Sequence, residues 1–232
     1  MLRDYQSKLA VECYELLRKW HIAYLSIEMR VGKTTIALES ARLYGAKNVI
    51  FITPKKAIQS IIGDYEREGF PFKLKVTNYE QAKNEKPVYD FVIIDEAHKL
   101  GAYPKPAART KAIKDLVGRN PVVFCSGTPT PETETQLFHQ FWVSHYNPFG
   151  EESFYKWAKM YVNVKEVVRN GIRFNDYKSA KRDDIMRVVK KYFISYTREE
   201  AGFEMSEPIE KVISVPIDPN IERLVKVLLR DK

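Results

Sequence analysis

Four short apolar runs constrain this chain more than anything else in it. They are Ile22-Ala23-Tyr24-Leu25-Ser26, Asn48-Val49-Ile50-Phe51-Ile52-Thr53, Phe91-Val92-Ile93-Ile94 and Pro121-Val122-Val123-Phe124-Cys125. Each predicts a strand, and each is continuously apolar rather than alternating. A strand that is apolar on both faces must be covered on both, as in a parallel sheet between helical layers. The intervening segments supply those layers. Residues 4–20 repeat with helical spacing, with Tyr5, Leu9, Cys13, Leu16 and Trp20 on one face. A second helix is predicted from Lys33 to Tyr44, stopped by Gly45, and a third over 55–68, followed by a strand over 72–77. The expected fold class is α/β, a mostly parallel sheet sandwiched by helices.

In such sheets ligands bind at the carboxyl ends of the strands. The chemically suggestive residues fall there: after Ser26, after Ile52, after Ile94 and after Cys125. Residues 101–109, with Gly101, Pro104 and Pro106, are expected to form a loop. Beyond residue 131 the pattern changes. Residues 134–163 read as mainly helical and aromatic-rich. Val164–Val168 and Ile172–Tyr177 flank Asn170-Gly171, a strong hairpin signal. A basic helix over 183–191, a strand Tyr192–Thr197, a strand Lys211–Val215 and a helix Ile221–Leu229 complete the expectation. The domain reading is one lobe over 1–200, with a helical and hairpin protrusion at about 134–180, and a connecting segment over 201–232.

With 232 residues the chain can bury a sizeable core. Two cysteines, Cys13 and Cys125, sit in apolar contexts and read as reduced, buried small hydrophobes. Together with four scattered histidines they give no zinc-ligand spacing. No apolar run approaches the ~18 residues of a membrane span, and the first six residues hold no apolar signal core, so a cytoplasmic location is expected. The formal charge of +8 suggests a polyanionic partner, although many basic proteins bind no nucleic acid.

Two motifs carry chemistry. Glu28-Met29-Arg30-Val31-Gly32-Lys33-Thr34-Thr35 joins a predicted strand to a predicted helix, the context of a phosphate-binding loop. Backbone N–H groups of Met29 to Thr35 can cradle phosphate oxygens, Lys33 supplies positive charge, and Thr34 supplies a hydroxyl ligand for Mg²⁺. Ile27 stands where the usual pattern has glycine. A Gly-Lys-Thr tripeptide is common by chance, so it needs the second motif. That motif is Asp95-Glu96-Ala97-His98, closing an apolar strand. Asp95 is placed to hold Mg²⁺ and Glu96 to orient and deprotonate a water. The plainer reading is a strand-end Asp followed by a helix-start Glu. His98 is expected near Ser126-Gly127-Thr128-Pro129, where a link to a hydroxyl, with Ser126 and Thr128, would couple nucleotide state to the substrate side.

As a set these motifs resemble those of a superfamily 2 helicase or translocase of the DEAH-box kind. Leu2-Arg3-Asp4-Tyr5-Gln6 is similar to the adenine-reading Gln motif, Ile52-Thr53-Pro54-Lys55 to motif Ia, and Thr77-Asn78-Tyr79-Glu80 to motif Ib. Glu28 to Thr35 resembles motif I, Asp95 to His98 motif II, and Ser126 to Pro129 motif III. Within that superfamily Leu137-Phe138, Asn147-Pro148-Phe149-Gly150 and Phe193–Arg198 resemble the Swi/Snf-type duplex DNA translocases, including phage-encoded members acting in the host cytoplasm. Arg30 stands where related motors often carry glycine; its plainer reading is a solvated loop residue.

The resemblance implies a RecA-like lobe with ATP and Mg²⁺ as cofactors. It implies that Arg3 and Gln6 meet the nucleotide, and that Pro54, Lys55, Thr77 and Tyr79 lie along a nucleic-acid strand. For Lys55 the plainer alternative is a solvated helix start, for Tyr79 core packing. Basic clusters at Lys105, Arg109, Lys111, Lys114 and Arg119, and over 178–191 including Lys181 and Arg182, would widen the footprint. Such motors pair two lobes, the second supplying arginines, and no second phosphate-loop half follows residue 200. The expectation is therefore a first lobe that, alone, binds ATP–Mg²⁺ weakly and turns it over slowly. Two other readings stay open: a nucleotide-dependent binding module without turnover, and a P-loop ATPase unrelated to nucleic acid.

Overall fold

The computed structural model describes residues 2–203 apart from Pro87 and Asn170. The strand expected at Lys211–Val215 and the helix at Ile221–Leu229 lie outside the described residues. Helix α1 (Asp4–Trp20) leads into β1 (Ile22–Ile27), α2 (Lys33–Tyr44), β2 (Asn48–Thr53), α3 (Ile58–Glu68) and β3 (Lys73–Asn78). Then follow β4 (Phe91–Asp95), α4 (Ala108–Val117), β5 (Val122–Cys125), α5 (Leu137–Trp142) and α6 (Phe154–Tyr161). The hairpin β6 (Lys165–Arg169) and β7 (Ile172–Asp176), α7 (Arg182–Val189) and β8 (Phe193–Tyr196) complete the described elements.

Six strands form one sheet in the order β3-β2-β4-β5-β1-β8, and every pair in it is parallel. All six carboxyl ends therefore open at one edge. The pleat divides the apolar runs between two cores. Ile22, Tyr24, Ile50, Ile52, Val92, Ile94, Val122 and Phe124 face one layer, with Ile113, Phe138, Phe141, Trp157 and Ile185 from α4 to α7. Ala23, Leu25, Ile27, Val49, Phe51, Ile93 and Val123 face the other, with Leu9, Cys13, Leu17, Ile36, Leu38 and Ile61 from α1 to α3. No helix among the described residues is long and apolar enough to cross a membrane.

Three expectations shift. The buried stripe of α1 runs through Leu9, Ala10, Cys13 and Leu17 rather than Leu16 and Trp20. Helix α4 begins inside the span expected to be loop, and it buries Thr110, Ile113, Leu116 and Val117. The first half of 134–180 contributes core as well: Phe138, Phe141, Phe149, Phe154 and Trp157 interlock as an aromatic layer under the sheet. What stands out from the body is the hairpin, with Val168 and Ile172 61% and 69% exposed. Its turn carries Gly171 at φ 75°; Asn170 lies outside the described residues.

Candidate functional site

The loop between β1 and α2 turns on backbone positions that few residues adopt. Gly32, the residue before α2, has φ 99°, and Arg30 has φ 69°. An ideal Cβ built on Gly32 would lie 2.2 Å from Gln6 Nε2. Glycine is favoured there by the dihedral, and a side chain would also displace the end of Gln6. Arg30 is exposed and holds a conformation that glycine adopts without strain. That is a physical reason for glycine to be common at such a position.

The α1 N-terminus braces this loop. Tyr5 Oη and Gln6 Nε2 both donate to the Val31 carbonyl, at 2.9 and 3.2 Å, while Gln6 Oε1 accepts from Arg3 N–H at 2.9 Å. Both ends of the Gln6 amide are thus engaged within the protein. Val31 itself is buried and offers the site only its backbone. Met29 is exposed, and Thr34 and Thr35 are half-buried at the start of α2. The Lys33 ammonium donates to the Ile27 and Glu28 carbonyls, at 2.8 and 3.2 Å. It is therefore held over the loop's own concave side by neutral acceptors.

Asp95 ends β4, with β5 between it and β1. Its Oδ2 accepts from Thr53 Oγ1 at 2.9 Å, across the β2–β4 pair. Burial pushes the Asp95 carboxyl above the usual carboxylate range, the Thr53 hydrogen bond opposes this, the Glu96 charge raises it further, and Lys33 lowers it. Such a carboxylate gains from a cation. Glu96 follows with φ 52°, which turns the chain sharply out of the strand. The turn is fixed by Tyr79, whose hydroxyl donates to the carbonyls of Asp95 (2.5 Å) and Glu96 (3.1 Å).

Glu96 Oε2 lies 3.3 Å from His98 Nδ1, and the same nitrogen is 3.1 Å from Ser126 Oγ. Ser126 Oγ in turn accepts from Thr128 N–H at 3.2 Å. A continuous polar path thus runs from Glu96 through His98 and Ser126 to Thr128. Gly127 sits against the loop: a Cβ there would be 3.5 Å from the Ile27 carbonyl and 3.9 Å from Lys33 Nζ. Glu28, Met29, Glu96, Gly127, Thr128 and Arg198 line a cleft of about 360 Å³ at this point.

The surface residues divide. Pro54 is half-buried, and Lys55 and Lys56 are exposed where β2 ends. Thr77 and Tyr79, expected along a nucleic-acid strand, are instead 5% and 2% exposed. Thr77 pairs with Ile52 in the β2–β3 ladder and faces inward. Tyr79 is core whose polar end holds the acidic turn, so neither side chain presents a contact surface. Arg109 lies over the Tyr79 ring and donates to the Lys99 carbonyl. Within the two basic clusters several side chains have partners in the protein: Lys114 with Glu152, Arg182 with Glu134, Arg187 with Asp184, and Lys181 with the Met160 carbonyl, although Arg182 and Arg187 stay largely exposed. Cys13 and Cys125 are free and buried, and burial pushes the Cys13 thiol up to about 12.

Sequence reading named neither Thr53 nor Arg198 as a site residue. Thr53 ends β2 and Arg198 lies in the turn that follows β8, both on the open edge of the sheet, and knowing the strand order would have pointed to them.

No protein-family model matches the chain, and no curated protein matches it. Among solved structures, the helicase domain of Hef from Pyrococcus furiosus is similar to it at 16% identity and a TM-score of 0.48, over 72% of this chain and 41% of that one. The type ISP restriction-modification enzyme LlaBIII, an ATP-dependent enzyme solved bound to DNA, is similar at 16% identity and a TM-score of 0.46, over 83% of this chain and 14% of that one. The chain thus spans less than half the length of either.

Proposed function

We propose that this chain is the ATP-binding lobe of a nucleic-acid-dependent ATPase of the helicase or translocase kind. The observation that carries the proposal is the convergence at one sheet edge of Lys33 on its glycine-hinged loop with Asp95 and Glu96 on theirs: Asp95 feels the charge of both Lys33 and Glu96, and Glu96 and Gly127 line one cleft. The fit to a nucleotide and Mg²⁺ rests on chemistry already on this edge. Among the described residues Lys33 is a cation hydrogen-bonded to carbonyls, and Asp95 is a partly buried carboxylate whose burial resists its charge.

In this reading Thr34 and Asp95 hold Mg²⁺, which when bound draws charge from the terminal phosphates. Lys33 leaves the Ile27 and Glu28 carbonyls for phosphate oxygens, a stronger partner for an ammonium than a neutral carbonyl. Glu96 orients a water and takes its proton. His98 then senses Glu96 on one side and Ser126 on the other, and Thr128 carries the change to the surface. Gln6 and Arg3 meet the base end of the nucleotide, which requires the Gln6 amide to exchange a present partner for adenine.

Nucleic acid lies across the carboxyl edge, on Pro54 and the exposed Lys55 and Lys56, through phosphate rather than base contacts. The resemblance of Phe193–Arg198 and Asn147–Gly150 to Swi/Snf-type translocases favours duplex DNA as the partner, with translocation and unwinding both open. A second lobe, in the same protein or from another, would close the site and raise turnover. The test is equilibrium binding of a fluorescent DNA duplex across a salt series. A Lys55→Ala/Lys56→Ala double variant is expected to bind more weakly and to flatten the log–log salt slope by about two. Unchanged affinity and slope would remove this edge from the nucleic-acid path.

A further inference from the structure

Strand β8 ends beside the phosphate-binding loop, and the turn that follows is tied there. Glu28 N–H donates to the Tyr196 carbonyl at 3.1 Å, and Arg198 N–H donates to Glu28 Oε2 at 3.0 Å. Within the turn, Thr197 N–H and Oγ1 donate to Glu200 Oε2 at 2.7 and 2.9 Å, and Phe203 N–H returns to the Arg198 carbonyl at 3.0 Å. The Tyr196 ring stacks on Tyr5 at 5.4 Å, and the Arg3 guanidinium lies 5.1 Å from the centre of the Phe203 ring. Arg198 is thus fixed by the loop, by α1 and by its own turn.

Its side chain lines the cleft with Glu96, Gly127 and Thr128. There the Nε–H is buried and meets no acceptor among the described residues, although Glu28 and Glu96 line the same cleft. The contrast with other arginines is plain. Arg42 gives two donors to Glu39, and Arg67 gives its donors to Asp64 and Glu68. A buried guanidinium N–H without an acceptor is disfavoured, and here it survives in a turn where at least five other hydrogen bonds are made. An acceptor from outside the chain would remove that cost. The neighbours say which acceptor fits: Glu96 and Gly127 line this cleft, and a Cβ on Gly127 would lie 3.9 Å from Lys33 Nζ, so this is the end where the terminal phosphate would lie.

We propose that Arg198 is a phosphate-contacting residue of this cleft, donating to the terminal phosphate of a bound nucleoside triphosphate. This rests on the reading of the cleft as a nucleotide site. It means that one guanidinium for the phosphates is supplied by this lobe itself, in addition to any that a second lobe brings. It also links nucleotide state to β8, because Arg198 and Glu28 share a backbone-to-carboxylate bond.

The experiment compares the 232-residue chain with its Arg198→Gln, Arg198→Lys and Lys33→Ala variants. Affinities for fluorescent ATP analogue and fluorescent ADP are measured with Mg²⁺, and thermal unfolding is followed without nucleotide. Arg198→Gln is expected to weaken triphosphate binding roughly 10- to 100-fold, the effect of one charge-assisted contact. Diphosphate binding should change far less, Arg198→Lys should be intermediate, and the nucleotide-free midpoint should hold or rise because a buried N–H without an acceptor is gone. Equal losses for ATP and ADP with a lowered midpoint would overturn the proposal, making Arg198 a brace for the turn. Triphosphate affinity within twofold of wild type in Arg198→Gln, with Lys33→Ala impaired, would also overturn it while leaving the nucleotide site standing. A wild-type chain that binds no nucleotide would overturn both. Should Arg198→Gln fail to fold, the ratio of ATP to ADP affinity in Arg198→Lys decides by the same criteria.

Discussion

Replacing Gly32 with alanine tests the geometry on which the site depends. The residue has φ 99°, where an L side chain costs about 1–3 kcal/mol. The new Cβ would sit 2.2 Å from Gln6 Nε2 and 3.4 Å from its Cδ, so Gln6 must swing away. That breaks the bond from Nε2 to the Val31 carbonyl and the one that Oε1 accepts from Arg3, each worth about 0.5–1.5 kcal/mol net, and less where water replaces it. The expected total is roughly 2–4 kcal/mol, which for a domain of this size lowers the thermal midpoint by roughly 5–15 °C. The assay is thermal unfolding followed by circular dichroism for wild type, Gly32→Ala, Gln6→Ala and the double variant. With Gln6 truncated, alanine at 32 meets only the backbone cost, so the double variant should be more stable than the sum of the singles by about 1 kcal/mol. A midpoint loss under about 2 °C, or the same cost of Gly32→Ala in both backgrounds, would refute the reasoning.

Two further predictions follow from buried groups. Tyr79→Phe removes the hydroxyl that holds the Asp95 and Glu96 carbonyls; a loss of about 1–3 kcal/mol in unfolding free energy is expected, with duplex affinity unchanged. A selective loss of nucleic-acid binding would instead restore Tyr79 to the surface path. His139 is buried among Phe138, Trp142 and Phe154, and burial lowers its pKa to about 4, against a weaker raising effect of its Nδ1 contact with the Ala102 carbonyl at 2.6 Å. Its pKa in the unfolded chain is about 6.5, so the unfolded chain takes the proton first. This group's contribution to stability is therefore complete above about 6.5 and is lost as the pH falls towards 4, by up to about 3 kcal/mol. Urea unfolding between pH 7 and 4 should show a steeper pH dependence for wild type than for His139→Asn; identical slopes would contradict the assignment.

Much of this fold was legible because its signals are local. The runs at 22–26, 48–53 and 91–94 are continuously apolar, and glycines at 32 and 45 bracket α2, so strand and helix bounds follow from neighbours alone. The same is true of Lys33 and of Asp95-Glu96, whose spacing to a strand end is a property of a few residues. What sequence could not supply is non-local. Thr53 meets Asp95 only because β2 pairs with β4, and Arg198 reaches the cleft only because β8 lies beside β1. Thr77 and Tyr79 show the opposite error: a resemblance fixed their place in the chain but not the face each side chain takes, which the pleat and the Tyr79 hydroxyl decide. Helix α4 was overlooked although Ile113, Leu116 and Val117 carry helical spacing, because the stripe is short and crowded by lysines and arginines.

The central claim is that Lys33 and Asp95 share one site for a nucleoside triphosphate and Mg²⁺. Titration calorimetry of ATP into the 232-residue chain, with Mg²⁺ and with a chelator, in wild type and Lys33→Ala, tests it most directly. Saturable binding that weakens on removing Mg²⁺, and that falls at least about tenfold in Lys33→Ala, is the expected result. No binding by the wild-type chain, or binding indifferent to both Lys33 and Mg²⁺, would contradict the account.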